Sequence, residues 1–411
     1  MTCPVLPADF DPTDPDLYTK RLPLEELAEL RRTAPVKWIP QTPTVSNFGD
    51  DGYWLVTRHA DVKEVSTRPE LYSAHRNNVI IRFAEDMDPA AIDGVKVMMV
   101  NMDPPEHTRL RSIVQRGFTP RAVNALKDTL TERAARIVHD FRKKGSGDFV
   151  TEIACELPLQ AIAELIGIPQ KDRVRIFEWS NQMMGYDDPD YAVDQSVGQQ
   201  AAAEVMMYAM GMAEERKACP ASDIVSKLVA AESEGSLGSD EFGYFVLLLA
   251  VAGNETTRNA ITHGMLAFFD NPDQWDLYKA TRPETAADEI IRYSSPVMSF
   301  QRTATTDTVL GGQEIKEGQR VGIFYSSANF DPEVFDSPEK FDITRDPNPH
   351  LGFGGGGPHF CLGASLARME INLMFNAIAD AMPNIAKAAE PRRLRHAWIN
   401  GIKELKVNYT G

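Results

Sequence analysis

The stretch "HLGFGGGGPHFCLGA", residues 350–364, sets one cysteine, Cys361, behind four consecutive glycines and ahead of a helical pattern, "LGASLARMEINLMFNAI". Glycines 354–357 permit close approach of backbone to a flat ligand. A thiolate at a helix N-terminus gains from unpaired N–H groups and from the helix dipole. The residues alone leave two other readings open: a lone cysteine is often just a small buried hydrophobe, and a glycine run can cradle a phosphate. The run lacks the G-K-[ST] ending of a P-loop and follows no clear strand, which weakens the phosphate reading.

Outward from this stretch, the other cysteines (Cys3, Cys155, Cys219) are scattered with no C-x-x-C pair, which disfavours a disulfide framework or a zinc or iron–sulfur site. The formal charge of -16 argues against nucleic acid or an anionic membrane as partner. No basic-then-apolar segment opens the chain, and the apolar run "YFVLLLAVAG" is about half the roughly 20 residues a membrane span needs, so no membrane anchor and a cytoplasmic location are expected.

Periodicity gives the architecture. "LPLEELAELRRTAP" reads as a short amphipathic helix closed by proline, and "YWLVTRHADVKEVS" as a strand then a helix. Residues 120–285 are mostly helical in period. "TDTVLGGQEIKEGQRVGIFYSSANF" reads as a hairpin of short strands, and 331–360 as a long Pro-, Gly- and Asp-rich loop of the kind that serves function. No internal repeat or linker is visible. The expectation is a mainly α protein with small β-sheets (α+β), one unit over residues 1–411 with a short N-terminal extension to about residue 20.

Three further groups carry chemistry. "AGNETT", 252–257, puts Asn254, Glu255, Thr256 and Thr257 inside the most apolar helix, which costs free energy unless they are hydrogen-bonded or face a wet cavity. Gly253 there is read as making room for something; the alternative is a polar patch bound to neighbouring helices. "ETAADEIIRYSSP" places Glu289 and Arg292 one turn apart, where an ion pair forms. "NMDPPEHTRLRSIVQRGFTPRA" sets His107 and Arg111 four apart on one face, either to grip a carboxylate or to form a solvated basic face.

In their order and spacing, "AGNETT", "EIIR" and "PHFCLG" resemble a cytochrome P450 of the soluble bacterial class, over about residues 10–410. The resemblance implies the P450 fold, a triangular haem domain, with haem b as cofactor and Cys361 as axial thiolate ligand of the iron. It implies Phe353, Ala252 and Gly363 as further haem contacts, the glycines letting porphyrin lie against the backbone. Propionate partners map onto His107, Arg111, Arg302 and His359, while Glu289, Arg292 and Arg345 fix the loop that leads to Cys361. Thr256 and Glu255 are the implied proton-handling pair. Two departures stand out: the family's phenylalanine lies seven residues before the cysteine, whereas Phe353 lies eight before Cys361, and Phe330 stands where many relatives carry arginine.

Longer stretches, among them "CELPLQAIAELIG", "EFGYFVLLLAVAGNETTRN" and "INGIKELKVNYTG", look like the actinobacterial steroid side-chain monooxygenases that oxidise the terminal methyl of cholesterol or cholestenone. By position the sterol pocket is expected at Ile80, Phe83, Met98, Val100, Val251, Val297, Phe300 and Trp398, with ordinary core packing as the alternative for each. The likeness weakens over 84–100. The ω-hydroxylases of methyl-branched lipids share the motifs and form the alternative within enzymes; a non-catalytic haem-containing binder is the alternative outside them. The chain holds no flavin or iron–sulfur motif, so the resemblance implies O2 as oxidant and a ferredoxin with its reductase as partners. Docking is expected near Cys361 through Arg109, Arg116, Arg121 and Arg368.

Overall fold

The computed structural model describes residues 6–410 except 8, 43, 44, 46, 84–86, 192–194 and 222, and leaves aside the side chains of residues 91, 116 and 195. The N-terminal half alternates helices α1 (Leu24–Thr33) and α2 (His59–Thr67) with strands β1 (Val36–Pro40), β2 (Gly52–Val56) and β3 (Tyr72–Ser73). Helices α3 (Glu106–Val114) and α4 (Lys127–Lys144) follow, then strand β4 (Ser146–Asp148). Next come α5 (Glu156–Ile166), α6 (Arg173–Met184), α7 (Gln195–Ala218), α8 (Ile224–Ser233), α9 (Ser239–Asp270), α10 (Pro272–Thr281) and α11 (Ala286–Ser294). Strands β5 (Ser299–Ala304), β6 (Thr308–Leu310), β7 (Gln313–Ile315) and β8 (Arg320–Phe324) precede the long loop, α12 (Ala364–Ala381) succeeds it, and β9 (Ala386–Lys387), β10 (Arg392–Arg393), β11 (Ile402–Glu404) and β12 (Lys406–Asn408) close the fold.

Helix α9 is the axis. At 32 residues it spans about 48 Å. Glu241 accepts the Gly238 N–H at 2.7 Å, closing its first turn, where Asp240 and Glu241 also suit the dipole. Its N-terminal part (Phe242, Phe245, Val246, Leu249, Ala250) packs into a core shared with α5–α8, and its C-terminal part (Ala260, Ile261, Met265, Phe268) into a second core with α4, α5, α11 and α12. Residues 251–257 belong to neither core, so the polar break in the sequence falls where the two cores part.

The largest sheet has the order β1-β2-β8-β5-β3. β2 and β8 run parallel with Tyr53 opposite Arg320, and β5 lies antiparallel to β8 with Phe300 opposite Ile323. This pairing brings the start of β5, with Val297 and Phe300 before and within it, against the margin of the sheet core. The chain from Phe10 to Tyr18 is woven into this half: Arg82 donates to the Thr13 carbonyl at 2.8 Å, Tyr18 is buried, and Arg393 donates to its carbonyl at 2.9 Å.

A cysteine cleft beside a cationic cradle

Cys361 retains accessible surface while protein encloses it, the situation of a side chain facing an internal cleft. Its N–H donates to the Phe353 carbonyl at 2.9 Å, which folds the loop back on itself. Burial pushes the thiol pKa up; the backbone N–H of Gly363 bonded to sulfur, then Arg111 and Arg368, pull the other way. The Phe353 ring is buried, with the Arg368 guanidinium 4.5 Å from its centre, and Arg368 is held by Asp288 at 2.7 Å. The one-residue longer spacing therefore leaves Phe353 packed beside the cysteine loop.

The glycines act on protein neighbours. Gly354, Gly356 and Gly357 have φ of 94°, 93° and 71°, which side chains rarely adopt. A Cβ on Gly355 or Gly357 would collide with Ser66 of α2. Their bareness seats the loop on that helix.

Four basic or imidazole groups converge beside the cleft. His107 and His359 have ring centres 4.3 Å apart, with His107 Nδ1 and His359 Nε2 buried and unpartnered. Burial, then Arg111 and Arg302, bring His107 down to about 4; burial, then Arg302, His107 and Arg111, bring His359 down to about 2. Arg302 is 4% exposed and donates to the Gln301 carbonyl at 2.7 Å, and burial lowers both its pKa and that of Arg111. Neither arginine has an ion-pair partner among the described residues. Buried cations and orphaned ring nitrogens without a counter-anion are costly in a folded protein unless a ligand brings the charge. The set suits a ligand with two carboxylates, as a haem has, and the residues present thus fit that group.

The polar break of α9 has its own geometry. Ala252 is exposed and Thr256, one turn on, is half-buried, although both sit midway along a helix otherwise packed in core. Thr256 Oγ1 donates to the Ala252 carbonyl at 2.8 Å. Glu255 is 2% exposed and turns away: it pairs with Arg258 and accepts from Ser180 of α6 at 3.1 Å. Arg258 in turn donates to Asn181 Oδ1 at 2.8 Å. Asn254 is buried with its Nδ2 3.4 Å from Glu255 Oε1. Gly253 makes room for protein: a Cβ there would lie 2.8 Å from Ile162 of α5. The polar patch is thus split, with Thr256 keeping accessible surface beside Ala252 and Asn254 with Glu255 turned into the protein.

The expected pocket residues fall in two groups. Ile80, Met98, Val100, Val251, Val297, Phe300 and Trp398 are partly exposed, and of these Met98 packs against the helical core and Val297 and Phe300 against the sheet core. Phe300 lies 5.8 Å from Trp398, and the Val79 carbonyl accepts from Gln301 at 2.8 Å, which sets Ile80 beside β5. Phe83 is buried, its ring 5.7 Å from that of Phe48. Of the weakly matching stretch 84–100, residues 84–86 lie outside the described residues.

Glu289 and Arg292 are fully buried in a two-point pair at 2.7 and 2.8 Å, and Arg345 joins at 3.2 Å. Arg292 also donates to the carbonyls of Asn329, Pro338 and Lys340. Its guanidinium stands 5.2 Å over Phe330, so the aromatic departure at that position serves as a platform for the cation. Three residues escaped the sequence reading: Arg258, for which the i,i+3 spacing from Glu255 was the available signal; Ser180; and Asn101, whose side chain takes the Val79 N–H at 3.0 Å and donates to the Val95 carbonyl at 2.8 Å. The last two act across long sequence separations that no spacing reveals.

Among the described residues no helix is long and apolar enough to cross a membrane. Comparison with known proteins agrees with this geometry. The family model for cytochrome P450 matches residues 284–379. A steroid C26-monooxygenase of Rhodococcus jostii is 60% identical over 99% of this chain and 86% of its own length. A methyl-branched lipid omega-hydroxylase of Mycobacterium tuberculosis is 42% identical over 93% of this chain and 90% of its own. A Mycobacterium marinum cytochrome P450 solved with pseudoionone superposes with a TM-score of 0.92 at 36% identity, covering 99% of this chain and 100% of that one. With a cysteine facing a cationic cradle and relatives of this closeness along nearly its whole length, the chain belongs to the cytochrome P450 family.

Proposed function

We propose that the protein is a haem-thiolate monooxygenase that hydroxylates the terminal methyl of a steroid side chain, of the cholesterol or cholest-4-en-3-one type. It would hold haem b and take electrons from a ferredoxin and its reductase. The observation that carries the substrate class is the 60% identity to a steroid C26-monooxygenase over 99% of the chain.

Cys361 would hold the iron, and His107, Arg111, Arg302 and His359 the two propionates. Bound haem supplies the metal at which O2 is reduced and one oxygen atom is transferred to carbon. The chain's own residues do the rest. The Gly363 N–H and the positive field of Arg111 and Arg368 favour sulfur as the anion. Reduction of O2 to water and an inserted oxygen consumes two protons, and a positioned hydroxyl and carboxyl can pass them. Thr256 Oγ1, by turning from the Ala252 carbonyl, would hold a proton for the relay. Glu255 serves the same relay only after its carboxylate leaves Arg258. Apolar walls at Ile80, Phe83, Met98, Val100, Val251, Val297, Phe300 and Trp398 exclude water and hold a bulky hydrocarbon end-on.

For electron entry, Arg121 is exposed, Arg109 is engaged by Glu241 and Arg368 by Asp288; the Arg116 side chain lies outside the described residues. An acidic donor would compete for the two engaged arginines, which makes turnover salt-sensitive.

The 42% identity to a methyl-branched lipid omega-hydroxylase favours a second reading. A sterol side chain also ends in a methyl branch, so pocket shape rather than chemistry separates the two. Optical titration of the ferric protein with cholest-4-en-3-one and with a methyl-branched fatty acid decides between them. A tight high-spin shift with the sterol alone supports the steroid reading; a shift with the fatty acid alone overturns it in favour of the second.

A further inference from the structure

Gln301 is fully buried in β5 between two residues that point to the other side of the strand. Those two, Phe300 and Arg302, are an expected wall residue and a member of the cationic cradle. The Gln301 side chain lies on the opposite face with Gly322, its partner on β8. A Cβ on Gly322 would lie 2.4 Å from Ile81, so the bare position admits that side chain against the sheet.

Segment 77–81 is irregular, and its backbone is held largely by side chains. Gln301 serves three of its carbonyls: the backbone N–H donates to Val79 at 2.8 Å, and Nε2 donates to Asn77 at 3.1 Å and to Asn78 at 3.2 Å. Arg320, fully buried and fixed by Asp50 at 2.5 and 2.7 Å, donates to the Ile81 carbonyl at 3.0 Å and to Gln301 Oε1 at 3.2 Å. Asn101 Oδ1 takes the Val79 N–H at 3.0 Å, and Asn78, with a φ of 70°, turns the chain and takes the Ile80 N–H at 3.2 Å. Ile80 is therefore half-buried on a segment pinned on both sides of it.

An amide is the side chain that donates twice and also accepts from a guanidinium. An apolar group of similar size would orphan the Asn77 and Asn78 carbonyls, and a carboxylate would keep Arg320 but set oxygen against oxygen. A wall fixed before binding need not be ordered by the ligand, and a rigid ring system, which cannot adapt its own shape, gains most from it. A flexible chain adapts to a wall that moves.

We propose that Gln301 is a specificity-determining positioning residue: by fixing segment 77–81 to the back of β5 it holds Ile80 in a set relation to Phe300 and Arg302, and this favours rigid-ring ligands over flexible chains. This rests on the reading of Ile80 as a wall of the substrate cleft. It does not require the ring to be a steroid.

The test uses haem-loaded protein and equilibrium optical titration. Gln301→Met removes the amide at nearly constant size, Gln301→Glu keeps an acceptor for Arg320 without donors for Asn77 and Asn78, and Ile80→Ala probes the wall itself. In both Gln301 variants the Kd for cholest-4-en-3-one is expected to rise about fivefold or more, while that for a methyl-branched fatty acid stays within about twofold of wild type. The Kd for 4-phenylimidazole, a rigid iron ligand, should rise about threefold, and that for imidazole should not change. Equal weakening of sterol and fatty acid, or ring-ligand affinities within about twofold of wild type in folded variants, overturns the proposal. If the steroid reading alone is wrong, the wild type gives no spin shift with the sterol while 4-phenylimidazole still weakens in the Gln301 variants. If Ile80→Ala weakens the ring ligands and the Gln301 variants do not, the positioning role fails alone; if Ile80→Ala also leaves them unchanged, the wall reading fails and the proposal with it.

Discussion

Thr256 and Glu255 are neighbours in the chain yet face different surroundings: the Thr256 hydroxyl keeps accessible surface and rests on the Ala252 carbonyl, while the Glu255 carboxylate is buried against Arg258 and Ser180. Acid and alcohol are therefore separable by mutation. Thr256→Ala is expected to keep haem and the substrate-induced spin shift while product per electron falls about five-fold or more and hydrogen peroxide rises, consistent with the 10²–10⁴-fold ordinarily contributed by positioned proton donors. Unchanged coupling would remove Thr256 from proton handling.

Glu255→Gln tests the other member. The amide still fits beside Ser180 but cannot carry the proton. Turnover should fall at least ten-fold, with an increased solvent deuterium effect and an unaltered spin shift. A variant as fast as wild type would leave Glu255 as a purely structural partner of Arg258.

Gly253 shows what one chain's spacing conceals. Its position mid-helix signals a reason for having no side chain, and that much is legible; the reason, Ile162 of α5, is a contact across about ninety residues. The same holds for Gly355 and Gly357, whose neighbour is α2, and for the parallel pairing of β2 with β8. By contrast, the Glu289–Arg292 pair and the helical periods of α1, α2 and α9 follow from local repeat and were legible. The position of Arg345 beside Glu289 came from family resemblance alone. A helical Gly→Ala change gains about 1 kcal/mol in propensity, while overpacking costs about 1–3 kcal/mol. Gly253→Ala should therefore be net destabilising, and Ile162→Ala should offset part of its cost in a double-mutant cycle of denaturant midpoints; simple additivity would show that the contact is soft.

The Glu289–Arg292–Arg345 group predicts an asymmetry. Arg292→Leu leaves the Glu289 carboxylate in the interior with a weaker partner and removes donors from three carbonyls, for an expected loss of about 3–5 kcal/mol. Arg345→Leu leaves the two-point pair intact and should cost about 1–2 kcal/mol. Urea unfolding checks both. Equal losses would mean that Arg345 bears as much of the loop as Arg292 does.

The cradle makes a pH-dependent prediction whose sign follows from the histidines. In the fold without a bound carboxylate, burial and then the two arginines bring His107 down to about 4, below the roughly 6.5 of an unfolded chain. The folded state thus favours neutral imidazole: its contribution is fully present above about pH 6.5 and is lost as pH falls to about 4, on the order of 2 kcal/mol. Carboxylates bound beside His107 and His359 oppose this by favouring the protonated rings. The haem-free protein should lose stability on acidification more steeply than the haem-loaded protein, and His107→Phe should flatten the haem-free slope between pH 6.5 and 4. Urea midpoints for both forms at pH 7.5, 6 and 5 supply the measurement. If wild type and His107→Phe lose stability in parallel in the haem-free state, His107 is not held neutral by its surroundings. If the haem-loaded and haem-free slopes coincide, the bound carboxylates do not reach these rings, and the cradle assignment of His107 and His359 fails with them.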